Sequence, residues 1–191
     1  MIFTSIEIRT TSDNVSKGNI VEFAAATCDV EDTTRRWQTF ERLIDNDTLL
    51  GSVNGFVRCE SQLRLIKRIN AQARSKRGDL LIRENRLVND FRDWCVEQHD
   101  GNDYWDNGFT VVGDQWDRHT LPWLQRHLTG WTTLNHNATL DTGSLCYVEG
   151  GHVPRLAEAL ASLGVDGVKP RKRAVDTCLD VLTVASRFFC G

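Results

Sequence analysis

Long apolar runs are missing from this sequence. None approaches the roughly 18 residues that a membrane-crossing helix requires, so no membrane span is expected. The N-terminal stretch has no basic segment followed by an apolar one, and no secretory leader is expected. Cys-x-x-Cys is also missing. The six cysteines (Cys28, Cys59, Cys95, Cys146, Cys178 and Cys190) are scattered, mostly within apolar periodic segments where a reduced thiol acts as a small hydrophobe. That pattern predicts no zinc site and a reducing, cytoplasmic setting. There is no excess of positive charge: the net charge is −3, so no overall field recruits nucleic acid, and any such binding needs a local patch. No internal repeat, linker or low-complexity tract is visible. What remains is 191 residues with 40% hydrophobic and 26% charged content, the profile of one globular domain over 1–191 with a sizeable core.

Apolar and polar residues alternate from Ile2 to Ile8, the period-2 signal of a strand, and the polar run Thr10-Thr11-Ser12-Asp13-Asn14 ends it. A second apolar strand over 19–28 returns antiparallel to the first. A third strand is read over 39–44, with a glycine-containing loop over 49–55. Helical spacing of Leu63, Leu65, Ile66, Ile69 and Ala73 predicts a helix over 60–74, and 75–79 is a polar break. Leu87, Phe91, Trp94 and Cys95 share one stripe of a helix over 84–98, followed by turn chemistry over 100–107. A short buried strand is predicted at 109–113, a helix over 117–127, a strand segment over 140–147, a helix over 153–163 stopped by Gly164, and a last helix over 174–188.

Several segments carry a resemblance. Ser5-Ile6-Glu7-Ile8-Arg9-Thr10-Thr11-Ser12 resembles the first motif of the DnaQ-like (DEDDh) 3′–5′ exonucleases, in which Asp-x-Glu precedes Thr-Thr-Gly. The segment 18–26 resembles the family's Ile-Ile-Glu-Ala-Ala strand. Gly113-Asp114-Gln115-Trp116-Asp117-Arg118-His119-Thr120-Leu121-Pro122-Trp123-Leu124 resembles the second motif, with Leu121-Pro122-Trp123-Leu124 fixing the register. Leu140 to Tyr147 resembles a Leu-Asp-x-Gly-Ser-Leu segment, and Lys172 to Val181 resembles the third motif, His-x-Ala-x-x-Asp-Ala-Leu-Asp-Val. The small stand-alone bacterial and phage members are the nearest in kind. The resemblance implies an RNase H-like α/β fold: a mixed central sheet whose first three strands form an antiparallel meander, with helices on both faces.

The family holds two divalent cations with four carboxylates and uses a histidine as general base. In this sequence the resemblance places Glu7 at the first ligand position, Arg9 at the second, Thr120 at the third and Thr177 at the fourth, with Lys172 in place of the histidine. Glu7 retains a carboxylate, displaced by about 1.5 Å through its extra methylene. Arg9 is always protonated and has no acceptor, so it cannot ligate a cation. A rival register puts Asp117 at the third position but needs a deletion, and Asp117 then reads otherwise as a helix-start acid. Asp176 survives one residue before Thr177, about 100° away on a helix, and reads as a first-turn acid.

The resemblance with these departures implies a pseudo-exonuclease, with no metal expected. Arg9, Lys169, Arg171, Lys172 and Arg173 are the candidate contacts to the phosphates of a single strand or nucleotide. A second basic cluster, Arg64, Lys67, Arg68, Arg74, Lys76 and Arg77, reads as a solvated face. Two alternatives stay open. One is an active exonuclease using Mg²⁺ or Mn²⁺ on Glu7, Asp117 and Asp176. The other is a protein-interaction module on the same scaffold, which would show as a shared exposed patch of Trp37, Trp105, Trp116, Trp123 and Trp131.

Overall fold

The structure, a computed structural model, describes residues 2–31, 37–45, 64–65, 67–68, 71, 80–98, 109–128, 130–131, 136–146, 152–165 and 173–190. Along these residues run β1 (Ile2–Thr10), β2 (Ile20–Asp29), β3 (Gln38–Asp45), β4 (Leu81–Arg83), α1 (Glu84–Gln98), β5 (Phe109–Gly113), α2 (Thr120–His127), β6 (His136–Asp141), α3 (Thr142–Leu145), α4 (Leu156–Ser162) and α5 (Ala174–Cys190).

The alternation in β1 does what period 2 requires. Ile6 and Ile8 enter one core, while Phe3 enters the other on the opposite face. β1 and β2 pair antiparallel from Ile2↔Asp29 to Arg9↔Glu22, and β2 and β3 pair antiparallel, giving the meander expected from the sequence. The hairpin between β1 and β2 closes through Thr11 N–H to Asn19 O at 3.0 Å and Asn19 N–H to Thr11 Oγ1 at 2.9 Å. Gly18 in this hairpin lies against α2. A Cβ there would sit 2.7 Å from the Trp123 ring, so only glycine lets the two approach.

The sheet order is β4-β3-β2-β1-β5-β6. β1 with β5, β5 with β6 and β3 with β4 are parallel, so β2 alone runs against the other described strands. The carboxyl ends of β1, β3, β4, β5 and β6 therefore share one edge. In open α/β sheets that edge is where ligand crevices form. Helices cover both faces. Leu87, Phe91 and Cys95 of α1 and Trp123 and Leu124 of α2 bury against Ile6, Ile8, Phe23 and Phe40. On the other face α4 and α5 bury Leu156, Leu160, Cys178, Val181 and Leu182 against Phe3, Ala24 and Ala26.

Element boundaries depart from the sequence reading for local reasons. β4 is too short to show any period. α2 begins at Thr120 rather than 117, because Arg118 N–H and His119 N–H both bond to Gln115 O and wind 114–119 into a turn. Asp117 is consequently a turn residue and not a helix-start acid. β6 ends at Asp141, and 142–145 are helical where the sequence suggested strand. Asp141 Oδ1 accepts Ser144 N–H at 3.2 Å and so caps a helical turn. α4 starts at Leu156: Pro154 disfavours helical backbone at Val153, and Glu158 Oε2 accepts Arg155 N–H at 2.9 Å. Gly164 ends α4 as predicted, at φ +69°, with Gly164 N–H to Ala161 O and Val165 N–H to Leu160 O both at 3.1 Å. In the predicted helix 60–74, residues 64, 65, 67, 68 and 71 are helical and the remainder lie outside the described residues. So do the loop 49–55, the break 75–79 and the turn 100–107.

Candidate functional site

Ser5, Glu7 and Arg9 follow Phe3 on the face of β1 that meets α5. Near the carboxyl end of the strand, Arg9 Nη2 donates to Thr177 Oγ1 at 3.3 Å. Two of the positions singled out in the sequence thus come together across 168 residues of chain. Glu7 lies beside the next residue of α5. Burial pushes the Cys178 thiol well above its usual range and the Glu7 charge adds to it. Cys178 Sγ donates to the carbonyl of Ala24, the cross-strand partner of Glu7, at 3.5 Å.

Thr120 is buried at the first position of α2. Its neighbour His119 lies within electrostatic reach of Arg9. His119 is exposed by area, yet desolvation lowers its pKa from the ordinary histidine value. Asp13 and Asp114 pull the other way, and Arg9 lowers it further. Lys169, Arg171 and Lys172 lie outside the described residues.

Two carboxylates that the sequence reading did not assign to the site, one buried and one partly buried, complete this face. Glu22, fully buried, is the cross-strand partner of Arg9. Its Oε1 accepts Ala174 N–H at 3.0 Å, satisfying one of the unpaired donors at the start of α5, and pairs with Arg68 Nη2 at 2.5 Å. Glu41 pairs with Arg68 at 3.6 Å and Arg173 at 3.4 Å. Burial and the negative charge of Glu22 raise its pKa, against the lowering effect of Arg173 and Arg68. Arg173 also bonds Asp176 Oδ1 at 3.1 Å, while Asp176 Oδ2 accepts Arg173 N–H at 3.0 Å. Asp176 is thus a first-turn helix acid, as its position suggested. Arg68 is not a solvated cation but turns into the protein toward Glu22, and Arg173 is committed to Glu41 and Asp176. Arg9 differs: among the described residues it forms no ion pair within 4.0 Å.

The second motif forms a tight turn at the carboxyl end of β5. Gln115 adopts φ +56°, left-handed backbone that a non-glycine residue rarely takes. Asp141 holds it there, with Oδ2 accepting Gln115 N–H at 2.9 Å. Gly113 precedes the turn, and a Cβ there would sit 2.9 Å from Trp116 Cβ. A cavity of about 640 Å³ opens beside the turn, lined in part by Asp117, Arg118 and Arg155. Neither Glu7 nor Asp176 lines it, so the three carboxylates of the active-exonuclease alternative do not share this cavity.

Among the described residues, no group of three or more His, Cys, Asp or Glu side chains is placed to hold a metal ion. The described residues at these positions do not supply the four carboxylates of a two-cation centre. A guanidinium and a hydroxyl meet where the resemblance expects two carboxylates. Trp116, Trp123 and Trp131 are core residues and Trp37 is 37% exposed, so the described tryptophans form no shared surface patch. No described helix is long and apolar enough to cross a membrane.

The sheet order, the meander and the helical layers define an α/β fold of the exonuclease-like, RNase H-like class. A solved structure is similar to this chain, the crystal structure of full-length 3'-exonuclease, with a TM-score of 0.63 at 12% identity. The match covers 99% of this chain and 81% of that one. At that identity the likeness shows the fold. No family model and no curated protein matches the sequence.

Proposed function

We propose that this protein is a degenerate relative of the DnaQ-like exonucleases that binds single-stranded nucleic acid, or the phosphate of a nucleotide, without hydrolysing it. The observation that carries this reading is the Arg9 guanidinium. It sits at the carboxyl edge of the sheet on Thr177 Oγ1, without an ion-pair partner among the described residues. A guanidinium there repels a divalent cation and suits a phosphate oxygen, for which it offers several donors in a fixed fork. Lys169, Arg171 and Lys172 precede α5 in sequence and are the further candidate cations that the resemblance implies; the groove is the carboxyl edge of the sheet at Arg9 and Thr177. Arg173 contributes less, since its charge is engaged by Glu41 and Asp176.

The likeness of fold supports a nucleic-acid ligand by analogy alone, and the residues carry the rest. Without two cations there is neither a Lewis acid for the phosphoryl oxygen nor a metal-activated water. The test is incubation of 5′-labelled single-stranded DNA and RNA with the protein and Mg²⁺ or Mn²⁺, resolved on a gel. The expected result is an intact strand. Metal-dependent shortening from the 3′ end that Glu7→Ala abolishes would overturn the reading.

A further inference from the structure

We propose that Glu41 is a proton-operated counter-anion of the groove: as a carboxylate it occupies Arg173, and on taking up a proton it bonds to Glu22 and releases Arg173. The inference rests on the groove reading and names its regulation. Glu22, Glu41, Arg68, Arg173 and Asp176 form one ionic network that joins β2, β3, the helical segment carrying Arg68 and the start of α5. Three carboxylates meet two guanidiniums there, so one negative charge is in excess. Glu41 is the carboxylate held least closely. Arg68 and Arg173 stand 3.6 and 3.4 Å from it, whereas Glu22 has Arg68 at 2.5 Å and Asp176 has Arg173 at 3.1 Å.

Glu22 has a place for the proton. Its Oε1 takes Ala174 N–H and Arg68, but its Oε2 is buried without a hydrogen-bond partner among the described residues. An acceptor left unpaired in the interior costs free energy. Glu41 lies within hydrogen-bonding reach of Glu22, and two carboxylates can bond only when one carries a proton. Burial and then the Glu22 charge favour that proton on Glu41, while Arg173 and Arg68 oppose it. Glu22, Arg173 and Arg68 are the charged groups that face Glu41 among the described residues. Proton uptake makes Glu41 a neutral acid whose O–H donates to Glu22 Oε2. Arg68 stays on Glu22. Arg173 keeps Asp176 alone, with its side chain 48% exposed, and it immediately precedes the helix whose Thr177 meets Arg9. Its released N–H groups can then take a phosphate oxygen in the groove.

Glu41→Gln supplies the neutral side chain at constant pH, which leaves the ionisation of His119 unaltered. The fold disfavours the Glu41 charge, so this variant should fold, and circular dichroism checks it. A fluorescent oligothymidylate is titrated with the full chain in EDTA across a salt series. At neutral pH, Glu41→Gln is expected to steepen the salt slope by about 0.7 relative to wild type, one phosphate contact. Arg173→Ala in that background should remove the gain. The difference between wild type and Glu41→Gln should shrink as pH falls toward 4.5, since acid protonates Glu41 in the wild type alone. A slope unchanged by Glu41→Gln, a gain that survives Arg173→Ala, or a difference that persists undiminished to pH 4.5 overturns the proposal and leaves the groove standing. Absence of binding by every variant at low salt overturns the groove reading and this proposal with it.

Discussion

Arg9 places a guanidinium where the resemblance expects a carboxylate. Its neighbour His119 lies within reach of that charge. Desolvation and the Arg9 charge hold the imidazole below its ordinary value of 6.5, with Asp13 and Asp114 offsetting part of the shift. The unfolded chain therefore takes up the proton first. The stability linked to His119 is complete above pH 6.5 and declines as pH falls from there toward the folded-state value. Urea unfolding midpoints measured from neutral into this acidic window should fall, and His119→Ala should flatten the fall. An unchanged slope would mean that His119 is not coupled to the site. Arg9, Thr177 and Asp176 were legible because motif order and helical phase are local properties of the sequence. Arg68 was not. Its partner Glu22 lies on a strand remote in sequence, and a pairing between distant elements leaves no period to read.

Among the elements, the start of α5 depends most on a single side chain. Glu22 satisfies Ala174 N–H and pairs with Arg68, so the N-terminal turn of α5 is tied to β2. Breaking a buried ion pair costs about 3–5 kcal/mol. Glu22→Ala should fall toward the low end of that range, because Arg68 keeps 25% exposure and can regain water. Denaturant unfolding measures this, and a loss below about 1 kcal/mol, the scale of a surface pair, would show that the pairing contributes little. Gly113→Ala tests the turn beyond β5. The added methyl meets Trp116 Cβ at 2.9 Å, and overpacking of this kind costs about 1–3 kcal/mol. The same melts check it, with an unaltered midpoint as the contrary result. Strand alternation and helical stripes placed most elements from sequence. The misplaced boundaries, at Thr120, Asp141 and Leu156, are those set by a side chain or a turn carbonyl bonding to backbone. Hydrophobic periodicity is blind to such bonds.

For the whole molecule, the net charge of −3 means that attraction to a polyanion must be local and weak. The described ionic network narrows it further, since Arg68 and Arg173 are spent on Glu22, Glu41 and Asp176. The fold could be inferred because strand order and helix placement follow from patterning along the entire chain. The balance of charge at the sheet edge could not, because it depends on which cations turn inward. The direct test of metal-free groove binding is a fluorescence titration of a short oligonucleotide in EDTA across a salt series. The wild-type protein is expected to bind weakly at low salt, losing affinity with a slope near −0.7 per phosphate neutralised. Arg9→Ala should flatten that slope by about 0.7, one contact's worth, while Arg173→Ala changes it less. Absence of binding at low salt, or a slope indifferent to Arg9, would contradict the proposed role of the groove.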